Sequence, residues 1–236
     1  MSFLPHWLVL FLSAPWASSY CRDVPQGHHY FEGHAVVPEF VNATARRVTV
    51  TFGDDAAAYA CNCSAEPFPS CMYSWNKLWG SSRCGFAHAH HQDSDRFVWR
   101  RQMADDGATP GDAIELAAYS YDGGVNPNSP PNPNLLQPFS TTLQPGIAYA
   151  LLLDVSDPAS SIFEVSAPAP ASVQESKTVE HANACARAAE GYRLSLYFGG
   201  QCRAPSTVSV CYTEEDPAAK RGNASATMPR DRQVLR

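Results

Sequence analysis

The residues best suited to chemistry lie in one stretch, CGFAHAHHQDSDRFVWRR, which runs from residue 84 to residue 101. Three histidines, two aspartates and three arginines occur there beside three large aromatic rings. Arginine binds carboxylates and other planar anions, and histidine exchanges a proton near neutral pH. The stretch is typical of a metal site, a catalytic strip or the polar face of a β-sheet.

A metal site requires ligands that point to the same side of the chain. In a strand, His88 and His90 meet this condition and His91 does not. The chain contains no HExxH motif and no paired CxxC motif. We therefore predict no bound metal and no cofactor, with His88 and His90 as weak candidates for metal ligands.

The segments RFVWRR (residues 96–101) and AIELAAYSY (residues 113–121) are predicted to form a β-hairpin. Side chains alternate between the two faces of a strand, so the apolar set of each segment must face the core. One register matches both the apolar and the polar sets. It places Trp99 opposite Leu116, Phe97 opposite Ala118, Arg100 opposite Glu115 and Arg96 opposite Tyr119.

The polar face of this hairpin is the candidate ligand-binding site, and Trp99 is expected to anchor it in the core. Guanidinium, carboxylate and phenol groups together suit sugar hydroxyls and carboxylates. Tyr197 and Arg193 are expected to extend the face if their strand joins the same sheet. The predicted ligand-binding residues are Arg96, Arg100, Glu115, Tyr119 and Tyr121.

A simpler interpretation needs no ligand. Arg100 and Glu115 would then form an ordinary cross-strand ion pair, which contributes about 0.2 to 1 kcal/mol on a solvated sheet face.

The elements that position these residues are predicted to be strands. Six short segments rich in β-branched or aromatic residues occur at residues 46–52, 96–101, 113–121, 147–155, 192–198 and 207–212, and turn-forming residues bound most of them. The proline-rich segment at residues 123–134 is predicted to be a loop. The pattern predicts an all-β fold, an antiparallel β-sandwich or jelly roll stabilised by disulfides.

The termini differ in composition from the rest. An apolar stretch from Phe3 to Leu12, followed by small residues, predicts a signal peptide over residues 1–19 with cleavage after Ser19. The apolar stretch is too short to span a membrane. Residues 20–212 are predicted to form one domain, and residues 213–236 a polar, disordered tail. We therefore predict a secreted, extracellular protein.

Eight cysteines follow the predicted cleavage point, and an even number in a secreted chain predicts four disulfides of unknown pairing. They are Cys21, Cys61, Cys63, Cys71, Cys84, Cys185, Cys202 and Cys211. Three Asn-x-Ser/Thr triplets predict glycosylation at Asn42, Asn62 and Asn223.

Charge and motifs exclude several functions. The net charge of −6 and the absence of a long basic run argue against nucleic acid as a partner. The chain contains no GxSxG, P-loop or dinucleotide-binding motif.

Several motifs between Trp75 and Tyr212 resemble a family of secreted or lipoprotein-type proteins, most of them uncharacterised. These motifs are WNKLWG, HHQDSDRFVWRR, IELAAYSY and YFGGQCRAP. The resemblance implies a single domain and no particular activity.

The sandwich plan and the AAYSYDGGV strand also resemble, more faintly, the jelly-roll alginate lyases. This second resemblance implies that Arg96 neutralises a uronate carboxylate and that His91 takes the neighbouring proton. Tyr119 or Tyr121 would protonate the leaving oxygen.

Three functions remain open at the level of sequence. The favoured one is binding of an extracellular glycan or a protein surface without catalysis. The alternatives are a polysaccharide lyase that uses the same face, and a purely structural coat or matrix protein. The oligomeric state is not predicted.

Overall fold

The computed structural model describes residues 17–31, 40–41, 45–83, 90–128, 131–167, 174–182 and 191–215. Within these residues the regular structure consists of twelve strands and two short 3₁₀ turns, Asp54–Ala57 and Ser70–Tyr73. The strands form two six-stranded antiparallel sheets. The predicted all-β sandwich is confirmed.

The first sheet has the strand order β1-β12-β3-β8-β9-β10. Its strands are β1 (Ala17–Val24), β12 (Val208–Glu215), β3 (Ala45–Phe52), β8 (Ala148–Asp154), β9 (Ser160–Ser166) and β10 (Gln174–Glu180).

The second sheet has the order β2-β11-β4-β5-β6-β7 and carries the candidate site. Its strands are β2 (Phe40–Val41), β11 (Gly191–Leu194), β4 (Asn76–Ser82), β5 (Ser94–Met103), β6 (Pro110–Tyr121) and β7 (Leu136–Pro138).

The main core lies between the two sheets and follows the period-two alternation of the strands. From β5 and β6 it takes Phe97, Trp99, Ile114 and Leu116, all fully buried. The opposite face of the second sheet has its own small apolar cluster, which includes Trp75, Val98, Ala117 and Tyr119. Both faces of the central hairpin are therefore packed.

Each of the six predicted strands overlaps an observed strand. The prediction omitted β1, β4, β9, β10 and the very short β2 and β7. In β4 the alternation is interrupted by a register shift between Lys77 and Trp79, so its pattern does not stand out in the sequence.

Three disulfides join described residues: Cys21–Cys211, Cys61–Cys71 and Cys63–Cys202. The first links β1 to β12 across 190 residues of chain and the third spans 139. Closing such long loops removes much of the conformational entropy of the unfolded chain. The other two cysteines, Cys84 and Cys185, lie outside the described residues.

Two predicted boundaries meet observed strands. β1 begins at Ala17, three residues before the predicted mature start, and the remaining part of β1 includes Cys21 and its disulfide. β12 continues to Glu215, so residues 213–215 belong to a strand rather than to the predicted tail.

Of the three predicted glycosylation sites, Asn62 is exposed, whereas Asn42 and Asn223 lie outside the described residues. In the described part of the chain, no helix has the length and apolarity needed to cross a membrane.

Candidate functional site

The predicted hairpin register is confirmed at all four positions. β5 and β6 pair with Arg96 opposite Tyr119 and Arg100 opposite Glu115. Phe97 and Trp99 are fully buried in the core, as the hypothesis required. We call the face of the second sheet that points away from the first sheet the site face; it carries Lys77, Arg96, Tyr119 and Tyr121.

Arg96 is a buried cation on this face. It is only 7% exposed, and burial lowers the pKa of its guanidinium to about 10. Its Nε and Nη2 atoms find no hydrogen-bond acceptor among the described residues. Its polar neighbours in the described part of the chain include the tyrosines Tyr121, Tyr119 and Tyr30, and no described carboxylate pairs with it.

Glycine at position 80 allows Arg96 to lie beside β4. Gly80 is directly opposite Arg96 in the sheet. A Cβ atom at this position would collide with the carbonyl oxygen of Asp95 and would lie 2.7 Å from Cα and 3.0 Å from Cγ of Arg96. Any side chain at position 80 would therefore displace the arginine or its strand.

Lys77, on β4, is a second cation on the site face. Its Nζ lies 3.9 Å from the centre of the Tyr119 ring and donates a hydrogen bond of 3.2 Å to the carbonyl oxygen of Trp75. Burial, and secondarily the charge of Arg96, lower the pKa of this amine to about 7. A substantial share of Lys77 is therefore neutral at physiological pH and can accept a proton.

Tyr119 and Tyr121 supply two phenols next to these cations. Their rings contact each other edge to face, with centroids 5.6 Å apart. Burial, reinforced by a hydrogen bond and by electrostatic repulsion with Tyr121, raises the pKa of Tyr119. The Tyr119 hydroxyl donates to Oδ1 of Asn126 at 3.3 Å, so the predicted proline-rich loop reaches the site. Tyr119 keeps its proton at neutral pH and can donate it.

His91 lies at the exposed rim of the site. Its ring centroid is 5.4 Å from that of Tyr121 and 4.1 Å from that of His90. Partial burial, and then the charges of His90, Arg96 and Lys77, lower its pKa. His88 lies outside the described residues, and no group of three or more potential metal ligands occurs in the described part of the chain.

Arg100 and Glu115 do not join this group. Arg100 is four residues from Arg96, about 13 Å along the strand. Its Nε donates to Oε2 of Glu115 at 2.7 Å, and its guanidinium lies over the ring of Trp75 at 4.3 Å. Arg100 and Glu115 are thus each other's charge partner, as the interpretation of an ordinary cross-strand ion pair predicts.

The predicted extension of the face by Arg193 is wrong, whereas Tyr197 does lie beside Lys77. Arg193 pairs with Glu214 of the first sheet at 2.8 Å. The backbones of Lys77 and Tyr197 exchange two hydrogen bonds, of 2.8 and 2.9 Å. The chain leaves regular β11 after Leu194, so the alternation of β11 does not extend to Tyr197.

Sequence analysis did not identify Lys77 as a functional residue, although it lies in the WNKLWG motif. The available signal was a lone lysine between Asn76 and Leu78, both buried. The four site-face residues and His91 can together bind an anion, accept a proton and donate a proton.

Comparisons with known proteins identify no family for this chain. No protein-family model matches it, and no curated protein matches its sequence. The resemblance to a secreted or lipoprotein-type family therefore stays a prediction.

Solved structures match the chain only distantly. The structure of alginate lyase Aly36B matches with 11% identity over 72% of this chain and 66% of that one, with a TM-score of 0.40. The endo-β-1,4-glucuronan lyase from the fungus Trichoderma reesei matches with 10% identity over 84% and 79%, with a TM-score of 0.40. Scytalido-glutamic peptidase, solved with a peptide-based transition state analog, matches with 7% identity over 84% and 65%, with a TM-score of 0.35.

This chain spans 66% of the alginate lyase structure and 65% of the peptidase structure, just under two thirds of each. Two of the three structures are polysaccharide lyases, the class to which the sequence shows the fainter resemblance. At such low identities and TM-scores the likeness assigns no activity to this chain.

Proposed function

We propose that this protein is a secreted polysaccharide lyase that cleaves uronate-containing chains by β-elimination at the site face. The observation that supports it most directly is a pair of cations, the buried Arg96 and the half-buried Lys77, which have no carboxylate partner among the described residues. A buried charge without a counter-charge is costly, so such a pair suits an anionic ligand that supplies the missing charge. The carboxylate of a uronate sugar is such a ligand.

Lys77 favours catalysis over binding alone. A site that only held a carboxylate would benefit from a fully charged amine, whereas the pKa of Lys77 is lowered to about 7. A general base works best when its pKa is near the working pH. This property makes Lys77 a candidate general base; product formation in the assay below distinguishes turnover from binding alone, which the sequence favoured.

The proton transfers follow from the positions of the groups. Arg96 binds the carboxylate and stabilises the negative charge that develops when the adjacent C–H bond loses its proton. Lys77 is the first candidate to accept that proton, and His91 is the second. The electron pair forms a carbon–carbon double bond while the neighbouring glycosidic C–O bond breaks, and Tyr119 or Tyr121 protonates the leaving oxygen. The products are an unsaturated uronate end and a new reducing end.

The test is incubation of the purified protein with polymers of mannuronate, guluronate and glucuronate, and with a neutral glucan as control. New ultraviolet absorbance measures unsaturated ends, and retention of the protein on the immobilised polymers measures binding. Arg96→Ala is the informative variant. Arg100→Ala is the matched control, because Arg100 lies on the same strand and face but is already paired.

We expect absorbance with at least one uronate polymer, a loss of roughly 10²–10³-fold with Arg96→Ala and little change with Arg100→Ala. Retention without absorbance in the native protein would instead establish a binding protein. If neither signal appeared with any polymer, the proposed function would be wrong.

A further inference from the structure

An aromatic cluster adjoins the site face beyond Lys77. The rings of His29 and Tyr197 stack almost in parallel, 5.1 Å apart with an angle of 5° between their planes. The ring of Tyr30 meets that of Tyr197 edge to face at 5.0 Å. We call these three residues the aromatic platform.

The platform is held by backbone contacts between two distant parts of the chain. The segment after β1 docks on the segment after β11, with the Phe198 amide donating to the His29 carbonyl at 2.9 Å and the Ala204 amide donating to the His28 carbonyl at 2.9 Å. Nδ1 of His29 lies 2.8 Å from the carbonyl oxygen of Phe198 and therefore donates to it. These contacts fix the orientation of the His29 ring before any ligand arrives.

The platform is continuous with the two unpaired cations. The backbone amide of each of Tyr197 and Lys77 donates a hydrogen bond to the carbonyl oxygen of the other. Tyr30 lies close enough to Arg96 for the two side chains to interact electrostatically. A ligand whose carboxylate reached Arg96 would place its next unit beside these rings.

The platform also has the exposure and the charge state that a sugar ring needs. Tyr30 is 48% exposed, one of the most exposed large apolar side chains among the described residues. Burial and the neighbouring Tyr30 raise the pKa of Tyr197, so this phenol stays neutral and does not repel an acidic chain. Flat aromatic rings pack against the C–H faces of sugars while their polar tips stay in water.

We propose that His29, Tyr30 and Tyr197 hold the sugar unit next to the one whose carboxylate binds Arg96. The site then accepts a chain of several uronate units and gains affinity with chain length. This inference rests on the proposed function, because it places the neighbouring sugar relative to Arg96.

The experiment uses purified uronate oligosaccharides of increasing length, from the shortest chain that the protein cleaves to hexasaccharides. It measures kcat and KM separately for the native protein, Tyr30→Ala and Tyr30→Phe. Ile162→Ala serves as the matched control, because Ile162 is also exposed but lies on β9 of the other sheet.

We expect Tyr30→Ala to raise KM about tenfold for long chains, with kcat and the values for the shortest chain little changed. Tyr30→Phe keeps the ring and should restore most of the affinity. If Tyr30→Ala changed KM equally at every length, or not at all, the platform would not be a sugar subsite, although the proposed function would stand. If the native protein neither cleaved nor retained any uronate chain, both proposals would be wrong.

Discussion

Asp95 and Arg96 are neighbours on β5, both buried and both charged, yet they lie in opposite environments. Asp95 points between the two sheets, where it is fully buried and surrounded by partners. Arg96 points to the site face, where two of its nitrogens have no hydrogen-bond acceptor in the described part of the chain. The alternation of a single strand therefore separates a charged group with partners from a charged group without a counter-charge among the described residues.

Both carboxylate oxygens of Asp95 have partners in a buried polar cluster. Ser120 donates to Oδ1 of Asp95 at 2.6 Å and Ser161 donates to Oδ2 at 2.8 Å. Nε of Arg83 lies 3.2 Å from the same carboxylate. Because the Ser161 proton goes to Asp95, Nε2 of His181, 2.9 Å from Ser161 Oγ, must be the donor in that contact.

This cluster links the sheets at one end of the core, since Ser120 lies on β6 and Ser161 on β9. A serine, a histidine and an aspartate occur together there, but all three are buried and hydrogen-bonded to one another. The comparison teaches that the informative sign of a ligand site is a buried charge without a counter-charge among the described residues, rather than a familiar set of residue types.

The largest expected effect tests the structural side of the comparison. Asp95→Ala should lower the free energy of unfolding by about 3–5 kcal/mol, because it removes a carboxylate from a buried ion pair and takes away the acceptor of two serine hydroxyl protons. Chemical denaturation measures this change. Asp105→Ala, at an exposed loop position, is the control and should have almost no effect. A loss below about 1 kcal/mol with Asp95→Ala would contradict the structural role.

Gly80→Ala should disturb both regions, because the new Cβ atom meets the backbone of Asp95 and the side chain of Arg96. We expect a loss of about 1–3 kcal/mol in stability, as for overpacking. Uronate affinity should fall as well, beyond what the unfolded fraction explains. Denaturation and retention on uronate polymers check the two effects on the same sample. Normal affinity in the folded fraction would show that Arg96 tolerates the displacement.

Lys77→Met tests whether the unpaired cation Lys77 destabilises the fold in a pH-dependent way. The pKa of Lys77 is lowered from 10.5 to about 7 in the folded protein, so between these values the unfolded chain binds more protons. Burying the charged amine of Lys77 therefore lowers the free energy of unfolding. This loss is complete below pH 7 and disappears above pH 10.5. The variant should therefore be more stable than the native protein at pH 6, by about 1–3 kcal/mol, with a gain that shrinks as pH rises.

Denaturation at several pH values measures this gain. Lys177→Met is the matched control, because Lys177 is paired with Glu175 at 3.1 Å. It should show no such pH-dependent gain. An equal gain with the control would indicate a general effect of removing a lysine.

The smallest effect is expected from Arg100→Ala. Arg100 is a cation on the same face as Arg96, but Glu115 and the Trp75 ring already satisfy it. We expect a loss of about 1 kcal/mol or less in stability and less than about a twofold change in kcat/KM. Thermal unfolding and initial rates check this. A large loss of activity would return Arg100 to the set of ligand-binding residues.

The sequence predicted the β5–β6 hairpin but not the role of Lys77 or of the Asp95 cluster, and the difference has a physical reason. The β5–β6 hairpin was predictable in fold and register, because strict alternation over two adjacent segments leaves only one pairing that buries both apolar sets. Lys77 was not predictable in this way, since the irregular pairing of β4 hides its alternation. Two residues of the Asp95 cluster, Ser161 on β9 and His181 just after β10, are distant from Asp95 in sequence, so the link between the sheets left no local signal.

The sequence by itself determined the all-β class, the presence of disulfides and the set of side chains that share a face with Arg96, because these depend on composition and on the two-residue period of a strand. Only the tertiary structure decided which cysteines pair and which charges find partners. It also brought His29, Tyr30 and Tyr197 beside Lys77, since these contacts join segments more than 40 residues apart in the chain. Pairing across such distances depends on how the sheets pack, which no local pattern encodes.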